Sequence, residues 1–173
     1  MNTNELIDAG NQHRAEHHPD QALQCYAMAF VQDPNCAAAW CNYGNVIREC
    51  GYPERSIPFL QHAIILDPTL VTAQFNLAVS YLIMGDYERG WPQYEARWRF
   101  EHLDGTLPNY TKPLWNGEDL QGKTILIMGE QGHGDNIQFI RFAYNLYQMG
   151  AKILIQVTDG LVPLVQTYSM FSW

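Results

Sequence analysis

The sequence predicts an α-helical repeat superhelix followed by a small, partial α/β unit. Three observations support this fold class. Pro34 and Pro68 close two similar segments, and the interval between them is typical of helical repeat proteins. Gly, Pro and Asn then interrupt any helical period over residues 103–122, which indicates a linker. Two short apolar runs, at 124–129 and 152–157, follow the linker and are typical of buried strands.

Composition excludes several classes of protein. The chain has 173 residues, 47% of them hydrophobic, so it can bury a core. Its net charge of −8, with only 10 Lys and Arg, argues against nucleic acid and anionic membranes as partners. The first ten residues are not a signal peptide, no apolar run reaches membrane length, and the four cysteines form no C-x-x-C pair. We therefore expect a cytoplasmic protein with reduced cysteines.

Residues of similar size align when the sequence is shifted along itself by the distance from Pro34 to Pro68. We call this distance the repeat interval. Some of the aligned positions hold small residues in the different repeats, and another holds larger residues. Small residues let paired helices approach closely, while bulky side chains fill the gaps. Turn-forming segments fall at 17–20, 51–54 and 85–88. The aligned sets are Gly10, Gly44 and Ala78; Ala22, Ser56 and Gly90; Tyr26, Leu60 and Tyr94; and Ala29 with Ala63.

These residues resemble the tetratricopeptide repeat (TPR) family, as found in bacterial proteins. The resemblance implies three repeats of two antiparallel helices, at 3–36, 37–70 and 71–102. The third repeat departs from the pattern, since Arg97 replaces the small residue and His102 stands where Pro is expected. Stacked repeats of this kind form a superhelix with a concave face.

Asn42 and Asn76 occupy equivalent positions on the first helices of repeats two and three, and Asp8 occupies the same position in repeat one. A side-chain amide both donates and accepts, so it can pair with a peptide backbone. The pattern is similar to the asparagine ladder in the repeat superhelix of O-linked N-acetylglucosamine transferases, which implies a protein or peptide partner in the groove near Phe75 and Val79. The alternative is that these amides are solvated or cap local backbone.

The segment "HRAEH" at 13–17 matches the H-x-x-E-H pattern of one class of zinc peptidases. It lies at the end of a repeat's first helix, and no other cluster of His, Glu or Cys supplies a third ligand, which favours a solvated helix end. The sequence therefore predicts no metal site.

Residues 123–173 are predicted to form a truncated, Rossmann-like βαβα unit. The two apolar runs flank a helical stripe over 136–149, which Gly150 is expected to end as a cap. Strand, helix and strand at this spacing predict a parallel pair. A second short helix follows, with Pro163 in its first turn.

The loop "GEQGHGD" at 129–135 joins the first strand to the helix. Its glycines follow G-x-x-G-x-G, which fits neither the dinucleotide fingerprint nor the P-loop, so no cofactor is implied. One interpretation is that Asp135 caps the helix and pairs with Gln138 in a capping box. The glycines would then serve only to permit positive φ.

The other interpretation rests on residues 113–168, which resemble the entry to the N-terminal lobe of GT-B glycosyltransferases, in particular heptosyltransferases. That resemblance implies that Asp135 is a general base, with His133 and Glu130 beside it. The sequence holds no second lobe for a nucleotide sugar, so we expect this chain alone to be inactive and sugar transfer to require a longer parent protein or an oligomer. We expect the incomplete sheet to dock on the third repeat or to mediate a homo-oligomer.

Overall fold

The computed structural model describes residues 1–99, 111–129 and 132–168, together with the backbone of 171–172. Two predicted residues, His102 and Glu130, lie outside these ranges. The chain divides into two compact units, Met1–Thr106 and Leu107–Trp173. Across the described residues, no helix has both the length and the apolar character needed to cross a bilayer.

Within residues 1–99, six α-helices form three consecutive pairs. The third pair is the least regular, because its second helix passes into a 3₁₀ segment at Glu95–Arg99. Within this segment, Arg97 donates a hydrogen bond to the Glu95 carboxylate, 2.7 Å away. The helices are α1 Thr3–Ala15, α2 Pro19–Gln32, α3 Ala37–Glu49, α4 Pro53–Leu66, α5 Val71–Ile83 and α6 Tyr87–Tyr94.

Small residues bring the helices of each pair together, as the repeat alignment predicts. Gly10 of α1 lies against the Tyr26 ring of α2, and a Cβ on Gly10 would come within 2.5 Å of that ring. Gly44 of α3 lies in the same way against Leu60 of α4. The close packing of these helix pairs therefore depends on the absence of a side chain at these positions.

The turns inside the pairs share one backbone conformation. His17, Gly51 and Gly85 are separated by the repeat interval, and all have positive φ, at 60°, 90° and 78°. Glycine adopts this left-handed conformation without steric cost, whereas other residues rarely do. Repeat one therefore keeps the turn of the other repeats even though a histidine occupies the glycine position.

Buried clusters connect each helix pair to the next. One cluster joins Cys41 of α3 and Leu60 of α4 to Leu77 and Tyr81 of α5. Two others join side chains of α1 and α2 to Ala39 or Val46 of α3. The fully buried hydroxyls of Ser56 (α4) and Ser80 (α5) lie 2.8 Å apart, and Ser80 also donates to the Asn76 carbonyl.

The second unit contains a parallel sheet in the order β1-β2-β3, so the predicted parallel strand pair is confirmed. Strand β1, Thr124–Met128, pairs with β2, Lys152–Gln156, in a register that sets Thr124 opposite Lys152. Strand β3, Phe171–Ser172, was not predicted and pairs with β2. The Rossmann-like assignment stays a prediction, because these strands alone do not make a doubly wound sheet.

In the described part of the second unit, three helices accompany the sheet: α7 His133–Phe139, α8 Ala143–Gln148 and α9 Val162–Val165. Pro163 lies in the first turn of α9, and Gly150 follows α8 with φ 84°, both as predicted. The single helix predicted over 136–149 is wrong, because a 3₁₀ segment at Ile140–Phe142 separates α7 from α8.

The predicted cap of this helix is also wrong. Helix α7 begins at His133 rather than Asn136, and its N-cap is Gly132, which has φ 80° and makes no side-chain cap. Asp135 lies inside the first turn, and the Asn136 side chain instead donates to the Gly132 carbonyl at 2.9 Å. The positive φ that glycine permits at position 132 therefore places the start of the helix at His133. Asp135 then lies within the helix rather than at its N-cap.

Candidate functional site

The first helices of successive pairs, α1, α3 and α5, contact one another and form one layer of the first unit. We call the side of this layer that carries the predicted ladder positions the first-helix face. Residues three or four apart on one helix lie on the same side, so the predicted positions Asp8, Asn42 and Asn76 share this face with the residues one turn further along each helix. Those neighbours are Asn11, Asn45 and Val79.

A cluster of amides connects α1 to α3 on this face. The Nδ2 of Asn42 donates to the Oδ1 of Asn11 at 3.2 Å, and the Tyr26 hydroxyl donates to the same oxygen at 2.7 Å. Burial raises the pKa of Tyr26 to about 12, so its hydroxyl remains a donor at neutral pH. Two donors therefore orient the Asn11 amide.

The cluster keeps hydrogen-bonding capacity for a ligand. Among the residues that the structure describes, no partner is found for the Asn11 Nδ2 or for the Asn42 Oδ1. Asn11 is exposed and Asn42 is half-buried, so both reach the surface. One donor and one acceptor on neighbouring oriented amides match the N–H and C=O that an extended peptide backbone presents.

Charged residues at the ends of α1 and α3 are paired with each other. Arg14 donates to both carboxylate oxygens of Glu49, at 2.8 and 2.6 Å. Hydrogen bonding from Arg14 lowers the pKa of Glu49, and the same bond raises the pKa of Arg14. Arg48 donates to the Asn45 oxygen at 2.5 Å, and Asn45 donates to Glu49 at 3.2 Å. Arg14 is therefore engaged by a carboxylate, whereas Arg48 bonds a neutral amide and its buried Nε has no partner among the described residues.

The remaining predicted binding residues are not gathered around Asn42. Asn76 is only 8% exposed, and its Nδ2 lies 3.9 Å from the Cys41 sulfur, whose pKa burial raises to about 11. Phe75 packs against the Tyr94 ring, with centroids 5.3 Å apart. Val79 is half-buried and Asp8 is exposed. The structure thus brings Asn42 to Asn11 rather than to Asn76.

Sequence reasoning missed Asn11 and Asn45. The signal was present, because these two residues are separated by the same repeat interval as Asn42 and Asn76. The sequence separation between Asn11 and Asn42, on neighbouring helices, also recurs between Asn45 and Asn76. Only the first pair is hydrogen-bonded in the described structure, since Asn45 is held by Arg48 and Glu49.

In the second unit, the predicted catalytic residues lie where β1 passes into α7. His133 and Asp135 are both exposed in the first turn of α7. A Cβ on Gly160 would lie 3.6 Å from the His133 ring, so the segments that follow β1 and β2 meet at this edge of the sheet. Carboxyl ends of parallel strands are where α/β proteins place ligands.

Comparisons with known proteins concern the fold of the chain. No protein-family profile matches it. Protein FlbA of Caulobacter vibrioides is 25% identical, over 69% of this chain and 26% of its own length. The peroxisomal targeting signal receptor of Eremothecium gossypii is 32% identical, over 39% of this chain and 12% of its own. The chain thus spans about a quarter of the first of these relatives and less of the second.

Solved structures share the helical architecture. The second TPR of Spaghetti (RPAP3), bound to the HSP90 peptide SRMEEVD, has a TM-score of 0.53 at 19% identity and covers 56% of this chain and 89% of its own. MamA has a TM-score of 0.52 at 23% identity, covering 58% of each chain. These likenesses give no support to the glycosyltransferase-like assignment. They do show that the chain contains a tetratricopeptide-like helical fold.

Proposed function

We propose that the first unit is a polypeptide-binding module. It binds an extended segment of the partner on the first-helix face, through hydrogen bonds to the backbone of that segment. The fold supports this proposal, since the RPAP3 domain that it resembles holds a peptide. The oriented amide pair of Asn11 and Asn42 is the observation that carries it. Asp8, one turn before Asn11, and Val79 on α5 would flank the bound segment.

The charges of this face distinguish its proposed ligand from the RPAP3 peptide. SRMEEVD ends in acidic residues, and acidic groups are recognised most strongly by free Arg or Lys. Here Arg14 is engaged by Glu49 and Arg48 by Asn45, within a chain of net charge −8. We therefore propose a neutral or basic polypeptide, held through its backbone amides.

A peptide array followed by fluorescence polarisation tests this proposal. Sequences that bind the native chain are measured against the double variant Asn11→Ala/Asn42→Ala. Loss of two oriented hydrogen bonds should weaken binding by about tenfold or more, while helical circular dichroism stays unchanged. Gln24→Ala, which removes an exposed amide from α2, is the matched control and should bind as the native chain does. Equal affinity for all three proteins would contradict the proposal.

The predicted ladder residue Asn76 requires its own comparison. Its low exposure and its contact with Cys41 lead us to propose a smaller role than that of Asn42. Asn42→Ala should therefore weaken binding more than Asn76→Ala does. The reverse order, with both variants folded, would place the main contact on α5 and reinstate the ladder as first predicted.

We further propose, from the resemblance of the second unit, that a longer parent protein or an oligomer transfers a sugar with Asp135 as general base. The exposure of Asp135 and His133 at the carboxyl edge of β1 supports this second candidate. A carboxylate there would accept the proton of an acceptor hydroxyl as its oxygen attacks the anomeric carbon, while the bond from that carbon to the phosphate oxygen breaks and the nucleotide leaves. Asp135→Asn in the parent protein should abolish transfer from a nucleotide sugar, and full activity of that variant would refute the role.

A further inference from the structure

The turn between α1 and α2 carries side chains that its counterparts do not. All three repeats share the same backbone conformation here, with positive φ at His17, Gly51 and Gly85. Only repeat one combines two imidazoles with a carboxylate at the surrounding positions. The equivalent residues are His13, Ile47 and Tyr81; Glu16, Cys50 and Met84; and His18, Tyr52 and Asp86.

The fold brings these three side chains of repeat one together. The Nδ1 of His13 lies 4.0 Å from the Oε2 of Glu16, and the Nδ1 of His18 lies 3.6 Å from the same oxygen. All three ligand atoms lie within 4.8 Å of one another. His17, the second histidine of the H-x-x-E-H pattern, is not part of this group. The spacing that matters is therefore H-x-x-E-x-H.

The Nδ1 of His13 is shielded from solvent and has no hydrogen-bond partner in the described structure. Its equivalents are Ile47, which has no polar side-chain atom, and Tyr81, which belongs to a buried cluster. A shielded polar nitrogen without a partner is costly, and native proteins normally satisfy such atoms with protein, water or an ion. This nitrogen faces the Glu16 carboxylate, so an ion between the two would satisfy both.

We propose that His13, Glu16 and His18 form a binding site for a divalent transition metal ion of the Zn²⁺ class. Imidazole and carboxylate are preferred ligands of Zn²⁺, which binds them at roughly 2.0–2.2 Å. Donor atoms around such an ion are separated by about 3–3.5 Å, so the observed separations need only small side-chain rotations. The fourth position is open to water.

The backbone holds the ligands in place for the ion. The His18 amide donates to the His13 carbonyl at 2.8 Å, and the His17 amide donates to the Arg14 carbonyl at 3.1 Å. These bonds fix the path of the chain from the end of α1 to the start of α2. Because the site joins the end of α1 to the start of α2, a bound ion would also stabilise the fold of repeat one.

Calorimetric titration of the untagged, full chain with Zn²⁺ tests the site, with thermal unfolding as an independent readout. We expect one equivalent to bind and Tm to rise with Zn²⁺ concentration. His18→Ala and Glu16→Gln should each weaken binding by at least about tenfold and abolish the Tm rise. Both replaced side chains are exposed, so these variants should keep the native circular dichroism.

Two control variants separate this site from its neighbours. His17→Ala removes the adjacent imidazole, and Cys50→Ser removes an exposed thiol able to bind Zn²⁺. Both should bind Zn²⁺ as the native chain does. The proposal is overturned by a native chain that binds no Zn²⁺, by undiminished binding in both His18→Ala and Glu16→Gln, or by loss of binding in Cys50→Ser.

Discussion

At the scale of single residues, the contact between Gly10 and Tyr26 sets the distance between α1 and α2. The ring atoms of Tyr26 would lie 2.5–2.9 Å from an added Cβ, and the ring is fully buried. Relief would require the whole helix or the whole ring to move. Overpacking of this kind typically costs about 1–3 kcal/mol.

Gly10→Ala should therefore lower the free energy of unfolding by about 1–3 kcal/mol, measured by urea denaturation. Gly134→Ala is the matched control, because Gly134 also lies in a helix and a Cβ there meets nothing within 4 Å. The control should be neutral or slightly stabilising, since alanine favours helices. A Gly10→Ala protein as stable as the native chain would mean that the two helices separate at little cost.

His17 offers the opposite kind of substitution. Its φ of 60° is a conformation that costs a non-glycine residue about 1 kcal/mol or more, and the other repeats have glycine at this position. His17→Gly should therefore raise the free energy of unfolding by up to about 1 kcal/mol, as measured by urea denaturation in the absence of metal. Gly51→Ala, the reverse change in repeat two, should lower it by a similar amount.

At the scale of elements, the Arg14–Glu49 pair joins α1 to α3 across two repeats. Both side chains are 39% exposed, so solvent screening limits the pair to about 1 kcal/mol or less. The folded-state pKa of Glu49 is lowered, so its contribution is present at neutral pH and is lost as the pH falls through that value. The hydrogen bond to Glu49 raises the pKa of Arg14, which stays far above physiological pH, so the titration of Arg14 does not affect stability there.

Glu49→Gln should accordingly destabilise the chain at pH 7 by up to about 1 kcal/mol, and the difference from the native chain should shrink as the pH falls below the ordinary glutamate pKa and through the lowered pKa of Glu49. Urea denaturation of both proteins across this pH range measures the effect. A difference that stays constant with pH would show that Glu49 acts through packing rather than through its charge.

The helix pairs are the elements that the sequence predicts best. The repeat interval fixes where small and large residues meet, and Gly10, Gly44 and Leu60 pack as that interval requires. The break between α7 and α8 was not predictable, because its apolar stripe runs through Ile140 without any glycine or proline. Strand β3 is two residues long and carries no periodic signal.

The candidate sites were predictable only in part, because they depend on contacts between helices. Periodicity places Asn42 on the right helix, yet the Asn11 amide that it meets belongs to the preceding repeat. In the same way, the H-x-x-E-H motif points to His17, but the turn with positive φ at His17 brings His18 to Glu16 instead. Repetition predicts equivalent positions, whereas pairing across repeats depends on residues that the repeats do not share.

At the scale of the whole molecule, the second unit exposes an aromatic surface. Phe139 and Phe142 are about half exposed, and their rings stack with centroids 6.2 Å apart. Contiguous exposed apolar surface is typical of sites of association. Self-association through this unit is therefore expected at high protein concentration, in line with the homo-oligomer that the incomplete sheet predicts.

Light scattering during gel filtration measures this association. The double variant Phe139→Ser/Phe142→Ser should shift the chain towards monomer. Ile65→Ser, which removes an apolar side chain that is 75% exposed on the first unit, should leave the distribution unchanged. A native chain that remains monomeric at high concentration would remove this expectation altogether.

The buried clusters that connect each helix pair to the next bear on how the first unit opens. Side chains of α3 take part in every one of these clusters, whereas α1 contributes a buried core side chain, Leu6, to one of them. Each cluster spans two pairs, so the unit should not unfold one repeat at a time. Amide hydrogen exchange should be slowest in α3 and α4, faster in α1, and correlated between α4 and α5, where Ser56 and Ser80 meet.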